Sequence, residues 1–479
     1  MSYFLESYDY KKVLYYFEQL TKIPHGSGNV QAISNYLVEF AKDQGVRYIQ
    51  DEALNVVMFK EASPGYENAP VVMIQGHMDM VCEKDADCPI NMETDGLDIT
   101  HDGQWIFANG TTLGGDNGIA VAYIMALLSD KTIPHPPIEA VITVDEETGM
   151  FGAAGIDLSM LKGRSLINAD SEDEGVFTVS CAGGARARIT LPVTRRAVYG
   201  PCVKLTVEGL QGGHSGAEIH KNRANANKVM GLLLSRIQEK MPICLTSLQG
   251  GAKDNVIPHT CEASLVVLGM HPEQINKIAA QVEQEVRSTY AEPNAVIRGD
   301  DVDALGGNAV PVEETSKIIA LMNKLPNSVQ TWSTDIEGLV QTSLNLGVAS
   351  LNDDLRLTFS VRSSVNREKE ELLAVLQEIA EGFGARYVTD SAYPAWEYKK
   401  DSRLRDTMVQ VYQQMYGKAP QVLAIHAGLE CGLLSEKLPD LDCVSIGPDM
   451  QDIHTSREKL NTASTCRTWE FLLEVLKNL

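Results

Sequence analysis

Four short apolar runs punctuate the first part of the chain: "NVVMF" (55–59), "VVMIQ" (71–75), "AVITV" (140–144) and "SLINA" (165–169). Each has the length of a strand, and helical spacing lies before and between them. Residues 10–22 and 31–43 repeat apolar positions at intervals of three and four. The stretch "DNGIAVAYIMALLSD" (116–130) is apolar on nearly every side, which predicts a buried helix capped by Asp116. Strands alternating with helices predict an α/β fold: a mixed, largely parallel sheet flanked by helices. Such a sheet gathers its carboxyl strand ends along one edge, where ligands bind.

After about residue 185 the texture changes. "CVKLTVEGL" (202–210), a helical stretch (225–240), "CEASLVVLGM" (261–270) and a second helical stretch (273–290) follow one another. A similar order returns in "LRLTFSVRSS" (355–364), a helical stretch (368–384) and "ARYVTDSAYPAW" (385–396). This predicts an inserted α+β domain of two similar halves. The first texture resumes near 401, with "QVLAIHAG" (421–428) and "DCVSIGP" (442–448) as strands. The expected organisation is a first part at 1–185, an insertion at 186–397 and a second part at 398–479. A chain of 479 residues is more than one core usually organises, in keeping with two domains.

Charge narrows the class further. With 64 acidic against 41 basic residues, the net charge is −23. Nucleic acid and anionic membrane surfaces require clustered basic residues, so neither is an expected partner. Nine cysteines form no CxxC pair, which disfavours a disulfide framework or a zinc knuckle. No apolar run is long enough to span a membrane, and the first residues lack a secretory leader's apolar region. A cytoplasmic location is expected.

The chemistry gathers where strands end. "GHMDMV" supplies His77 and Asp79, alternate residues that share a face in an extended strand. "TTLGGDNG" offers Asp116, "DEETG" offers Asp145, Glu146 and Glu147, "NAD" offers Asp170, and "DIHTSREKL" offers His454. Singly, each has a bland explanation as a cap, a packed imidazole or a solvated loop. Together, carboxylates and imidazoles without a thiolate suit one or two ions of zinc, cobalt or manganese.

In this order the motifs resemble those of the co-catalytic metallopeptidases that include aminoacylases, succinyl-diaminopimelate desuccinylase and dipeptidases. "QGHMDMVCEK", "LGGDNGIAVA", "GGHSGAEI" and "HAGLECG" are most similar to the dipeptidase members, and the likeness runs over nearly the whole chain. It implies a zinc-peptidase type catalytic domain with an inserted lid, and metal-dependent hydrolysis of unblocked dipeptides, Xaa-His included. Carried over, His77 would bind one ion and His454 the other, Asp116 would bridge them, and Glu147 and Asp170 would complete the sets. Asp79 would orient His77, and Glu146 would be the general base. His214 would stabilise the oxyanion, Arg362 would hold the substrate carboxylate, and Asn255 would help hold the substrate. His426 and Glu430 align with a segment at the edge of the site, without individual roles.

The resemblance further implies a cis bond between Asp116 and Asn117, two divalent ions per chain and small peptide substrates, and it leaves room for a homodimer. Simpler relatives use the partner's lid histidine; a doubled lid would let His214 serve its own chain. Two other readings remain at this stage: an amidohydrolase of N-acylated amino acids, and a catalytically silent metal-binding homologue.

Overall fold

The computed structural model describes residues 4–8, 12–268 and 273–479. It divides into two compact units. One comprises 1–180, 398–424 and 429–479; the other comprises 181–397 with 425–428.

The first unit is built on an eight-stranded sheet. Its order is Arg47–Gln50, Val56–Lys60, Ile138–Thr143, Val72–His77, Ser165–Asn168, Asp442–Ser445, Val176–Cys181 and Gln421–Ile425. The four central strands run parallel, while the strands at Val56–Lys60 and Arg47–Gln50 pair antiparallel. Burial on both faces explains the continuous apolar runs: every residue of Val72–His77 and Ile138–Thr143 is buried.

The helix expected at 10–22 runs Val13–Leu20; residues 10 and 11 of that expectation lie outside the described residues. The second forms as Gln31–Gln44. The apolar stretch after "GGDNG" forms the helix Gly115–Ser129, buried from Gly115 to Leu128. Asp116 does not cap it. Asp116 and Asn117 have non-helical torsions, no side-chain cap bond forms, and the bond between them is cis, so regular helix begins only after Asn117. The aspartate's side chain is thereby left available for other partners.

The second unit begins at Cys181, ahead of the change of texture, because a strand already starts at Gly183. Its large sheet is antiparallel along the path Val296–Ala309, Arg196–Glu208, Cys261–Val267, Ile243–Gly250, Val340–Leu351, Asp354–Ser363, Gly183–Pro192 and Arg386–Tyr393. Residues 269 and 270 of the expected 261–270 run lie outside the described residues.

The path resolves into two halves. In chain order the first four of these strands, with helices Ala226–Gln238 and Glu273–Tyr290, form a β-α-β-β-α-β unit. The strand Gly183–Pro192, the helix Val312–Lys324, the strands Val340–Leu351 and Asp354–Ser363, the helix Asn366–Gly382 and the strand Arg386–Tyr393 form another. Both have their first strand between the third and the fourth. The second half is interrupted by the first, and for that reason the repeat is faint in the linear sequence. A single core, including Leu205, Leu265, Leu233, Val282, Ile318, Phe359 and Leu376, runs through both halves.

Candidate metal centre

Three neighbouring parallel strands deliver their carboxyl ends to one edge. His77 closes Val72–His77 and stands in register with Thr143, so the turn carrying Asp145, Glu146 and Glu147 emerges beside it. Gln75 stands in register with Asn168, two residues ahead of Asp170. Asp116 enters at the start of the buried helix, and His454 enters from the loop between Met450–Gln451 and Lys459–Asn461. Asp145 and His454 both have positive φ, 52° and 60°, which non-glycine residues hold only where the surroundings enforce it.

The folded chain brings together all five residues expected to be ligands. His77 Nε2 lies 3.2 Å from Asp116 Oδ1 and 3.4 Å from Asp170 Oδ1. His454 Nε2 lies 3.2 Å from Asp116 Oδ2 and 2.9 Å from Glu147 Oε1. Asp116 thus turns one oxygen toward each imidazole. Among the described residues, three sets of donor atoms gather within 4.8 Å of one another: His77–Asp116–Asp170, Asp116–Glu147–His454 and His77–Glu146–Glu147. Asp79 belongs to none of them.

Asp79 instead ties the cluster together from behind. His77 Nδ1 lies 3.0 Å from the Asp79 carbonyl and 3.4 Å from its Oδ1. A proton on Nδ1 satisfies both, so that in the neutral ring the Nε2 lone pair is the one that faces Asp116 and Asp170. The same carboxylate accepts the backbone N–H of Glu146 (3.1 Å) and of Glu147 (3.3 Å), and the Ser27 hydroxyl (2.8 Å). Burial opposes its charge, but these donors, His77 first, hold it below the usual carboxylate range.

Two supporting residues were not singled out from the sequence. Ser27, in "PHGSGN", has no periodicity or charge to mark it. Glu458 lies inside the "DIHTSREKL" motif, only four residues after His454. Its buried carboxylate accepts the backbone N–H groups of Leu113 (2.8 Å), Gly114 (3.2 Å), Gly115 (2.7 Å) and Asp116 (3.3 Å). One side chain therefore anchors the Asp116 segment to the His454 loop.

Electrostatics follow from crowding. Hydrogen bonds to Asp116 and Glu147 raise His454 to about 10. Burial disfavours charge on His77, yet Asp170, Asp116 and Asp79 hold its pKa well above the ordinary value. Burial, reinforced by Asp170, Glu430 and Glu147 and opposed by His77, pushes Glu146 up to about 9. So many acids in one buried place is an arrangement that added positive charge relieves.

Of the remaining expected residues, His214, Asn255, Arg362 and His426 belong to the second unit and Glu430 to the first. Gly213–His214 pairs with Val256–Ile257, and Ser215 N donates to the Asn255 carbonyl at 2.9 Å, so His214 and Asn255 are neighbours. His214 Nδ1 accepts from Ala217 N (3.0 Å) and Gly216 N (3.3 Å). Those two donors require a lone pair on Nδ1, which puts the neutral ring's proton on Nε2. Burial and the Arg362 charge lower the His214 pKa and favour this neutral form.

Arg362 sits on Asp354–Ser363 and donates to the Tyr393 hydroxyl at 3.2 Å, while its buried Nε has no partner. Arg362, Asn255 and Tyr393 line one cavity of about 250 Å³. His426 Nε2 lies 2.7 Å from Ser343 Oγ, and burial drives its pKa down to about 3.

Residues 73–478 match the peptidase family M20/M25/M40. The chain is 34% identical over 468 residues to a cytosol non-specific dipeptidase of Escherichia coli (strain K12), covering 97% of this chain and 96% of that one. The crystal structure of an aminoacylhistidine dipeptidase from Vibrio alginolyticus superposes with a TM-score of 0.93 at 33% identity, over 99% of both chains. An aminopeptidase PepT from Bacillus cereus ATCC 10987, 14% identical, shares the fold at a TM-score of 0.57 over 98% of each chain.

Proposed function

The chain belongs to peptidase family M20/M25/M40, and from that premise we propose how its residues carry out the metal-dependent hydrolysis of dipeptides. It is a metallopeptidase. The observation that carries the residue-level reading is Asp116, whose two oxygens face His77 and His454 at 3.2 Å each. This geometry suits a carboxylate shared between two ions. Two imidazoles and three carboxylates fit divalent cations of the zinc, cobalt or manganese type. In this reading His77 and Asp170 would hold one ion, His454 and Glu147 would hold the other, and Asp116 would serve both.

Two such cations, when bound, supply the charge that lowers the pKa of a water and polarises the scissile carbonyl. Glu146 accepts that water's proton as its oxygen bonds to the peptide carbon, and returns a proton to the departing amine when the C–N bond breaks. Asp79 fixes this base, because it holds the Glu146 backbone N–H and the His77 ring with the same carboxylate.

In the inserted unit, the Nε2–H of neutral His214 is the donor for the developing oxyanion. Arg362 and Asn255 line one cavity, and the planar guanidinium suits bidentate capture of a dipeptide's terminal carboxylate. Free dipeptides are the proposed substrates, with Xaa-His among them. Cytoplasm is the proposed location; no helix among the described residues is long and apolar enough to cross a membrane. A homodimer is compatible with this reading.

The deciding experiment is a panel of free and N-acetylated dipeptides, assayed after chelation and after readdition of zinc, cobalt or manganese. Hydrolysis of free dipeptides that vanishes on chelation and returns with metal is the expected result. Preference for acetylated substrates would turn the reading to an amidohydrolase. No hydrolysis with any ion would leave a silent homologue.

A further inference from the structure

Glu430 opens the helix Glu430–Lys437 and is fully buried, 0% exposed. Its Oε2 accepts the Gln75 side-chain amide at 2.5 Å and the Thr143 hydroxyl at 2.6 Å. Gln75 Oε1 in turn accepts the Asn168 side-chain amide at 2.6 Å. These partners sit near the carboxyl ends of the three strands that deliver the site. Gln75 precedes His77 by two residues, Thr143 precedes Glu146 by three, and Asn168 precedes Asp170 by two.

We propose that Glu430 is a positioning residue of the metal centre: its carboxyl joins the strand ends at Gln75 and Thr143 directly and the one at Asn168 through Gln75, and so sets the spacing of His77, Glu147 and Asp170. The inference rests on the metal-centre reading given above.

The energetics argue for such a role over simple packing. Gln75, Thr143, Asn168 and Glu430 are all buried. Apolar side chains of similar size would fill that volume without desolvating an acid and two amides. The network is not even fully satisfied, since Glu430 Oε1 and Asn168 Oδ1 lack hydrogen-bond partners. What the network does supply is direction. Backbone pairing sets the strand spacing, but a shared acceptor also resists one strand end sliding or tilting against its neighbours. Groups that hold metal ligands in place from behind act in this way.

The test uses the full chain, stripped of metal and titrated with Co²⁺, reading the visible absorption band and competition with a chelator. Glu430→Met keeps the bulk and removes the acceptor; it is expected to bind about 10–100-fold more weakly and to show an altered band. Its kcat is expected to recover in excess cobalt, with KM little changed, which a general folding defect would not allow. Glu430→Gln keeps an acceptor oxygen and is expected to bind within a few-fold of the unaltered chain. Unaltered cobalt affinity in Glu430→Met overturns the proposal. Equal weakening in both variants does so too, since charge rather than the tie would then matter. Should Glu430→Met fail to fold, Thr143→Val cuts the same network from the strand side. Weaker cobalt binding is expected there, and unchanged binding overturns the tie. If the unaltered chain itself binds no cobalt, the metal-centre reading fails instead.

Discussion

The candidate site residues of the two units are held in different ways. In the first, the site side chains are held from several directions: Asp79 gathers His77, Ser27, Glu146 and Glu147, and Glu458 gathers four backbone amides. In the second, Arg362 keeps a buried Nε without a partner, and His214 has its Nδ1 occupied while its Nε2–H is left to donate. The difference fits the roles proposed for each set. A resident ion rewards donors fixed in advance, whereas a transient substrate needs donors not already spent within the protein. If this contrast is right, substitutions in the two units should fail in different measurable ways.

The largest effect is expected for Glu146→Gln, which should lower kcat by about 10²–10⁴-fold while metal content, read by elemental analysis, stays near that of the unaltered chain. Loss of both ions in that variant would mean that Glu146 is itself a ligand, as its closeness to His77 and Glu147 allows.

His214→Ala should come next, with kcat reduced by roughly 10²–10³-fold and cobalt affinity unchanged. Mixing His214→Ala with Glu146→Gln chains under subunit exchange sharpens this result. No recovery of activity is expected if each chain uses its own histidine; recovered activity would assign the histidine to a partner subunit.

Arg362→Lys should act mainly on KM, raising it about tenfold because a point charge replaces a planar fork. A fall in kcat with KM unchanged would remove Arg362 from carboxylate binding.

The smallest effect concerns protons. In metal-stripped protein, His454 is raised to about 10 and Glu146 to about 9, so both favour the protonated form at pH 7. A cation bound at His454 must displace its proton, and added positive charge favours the ionised form of Glu146, so metal affinity should rise with pH and weaken on acidification. Calorimetry in buffers of different ionisation enthalpy should show about one proton or more released per chain at pH 7. Binding without proton release would contradict the crowded-acid account of the first unit.

Much of the first unit was legible because its signals are local. A run such as Val71–Gln75 followed by His77 and Asp79 announces both a strand and the chemistry at its end. The doubled lid was visible only as a repeated texture, because the strand Gly183–Pro192 is separated from the rest of its half by the entire other half. Asp116 shows the limit of local reading. An acid before an apolar helix looks like a cap, but its torsions are non-helical and its oxygens face two histidines. Ser27 carried no residue-level signal, and the motif that holds Glu430 marked it without giving it a role. Their importance comes from partners 52 residues away at Asp79 and 355 residues away at Gln75.

The sequence by itself determined the strand–helix alternation, the acidic and imidazole donor types, and the order in which they arrive at the strand ends. Hydrophobic period and side-chain chemistry are properties of short segments, and short segments can be read directly. Tertiary structure alone decided that Asp116 shares its oxygens between His77 and His454, 338 residues further on, and that Glu458 locks those segments together. Such contacts depend on how distant segments close around a common core, which no local pattern encodes.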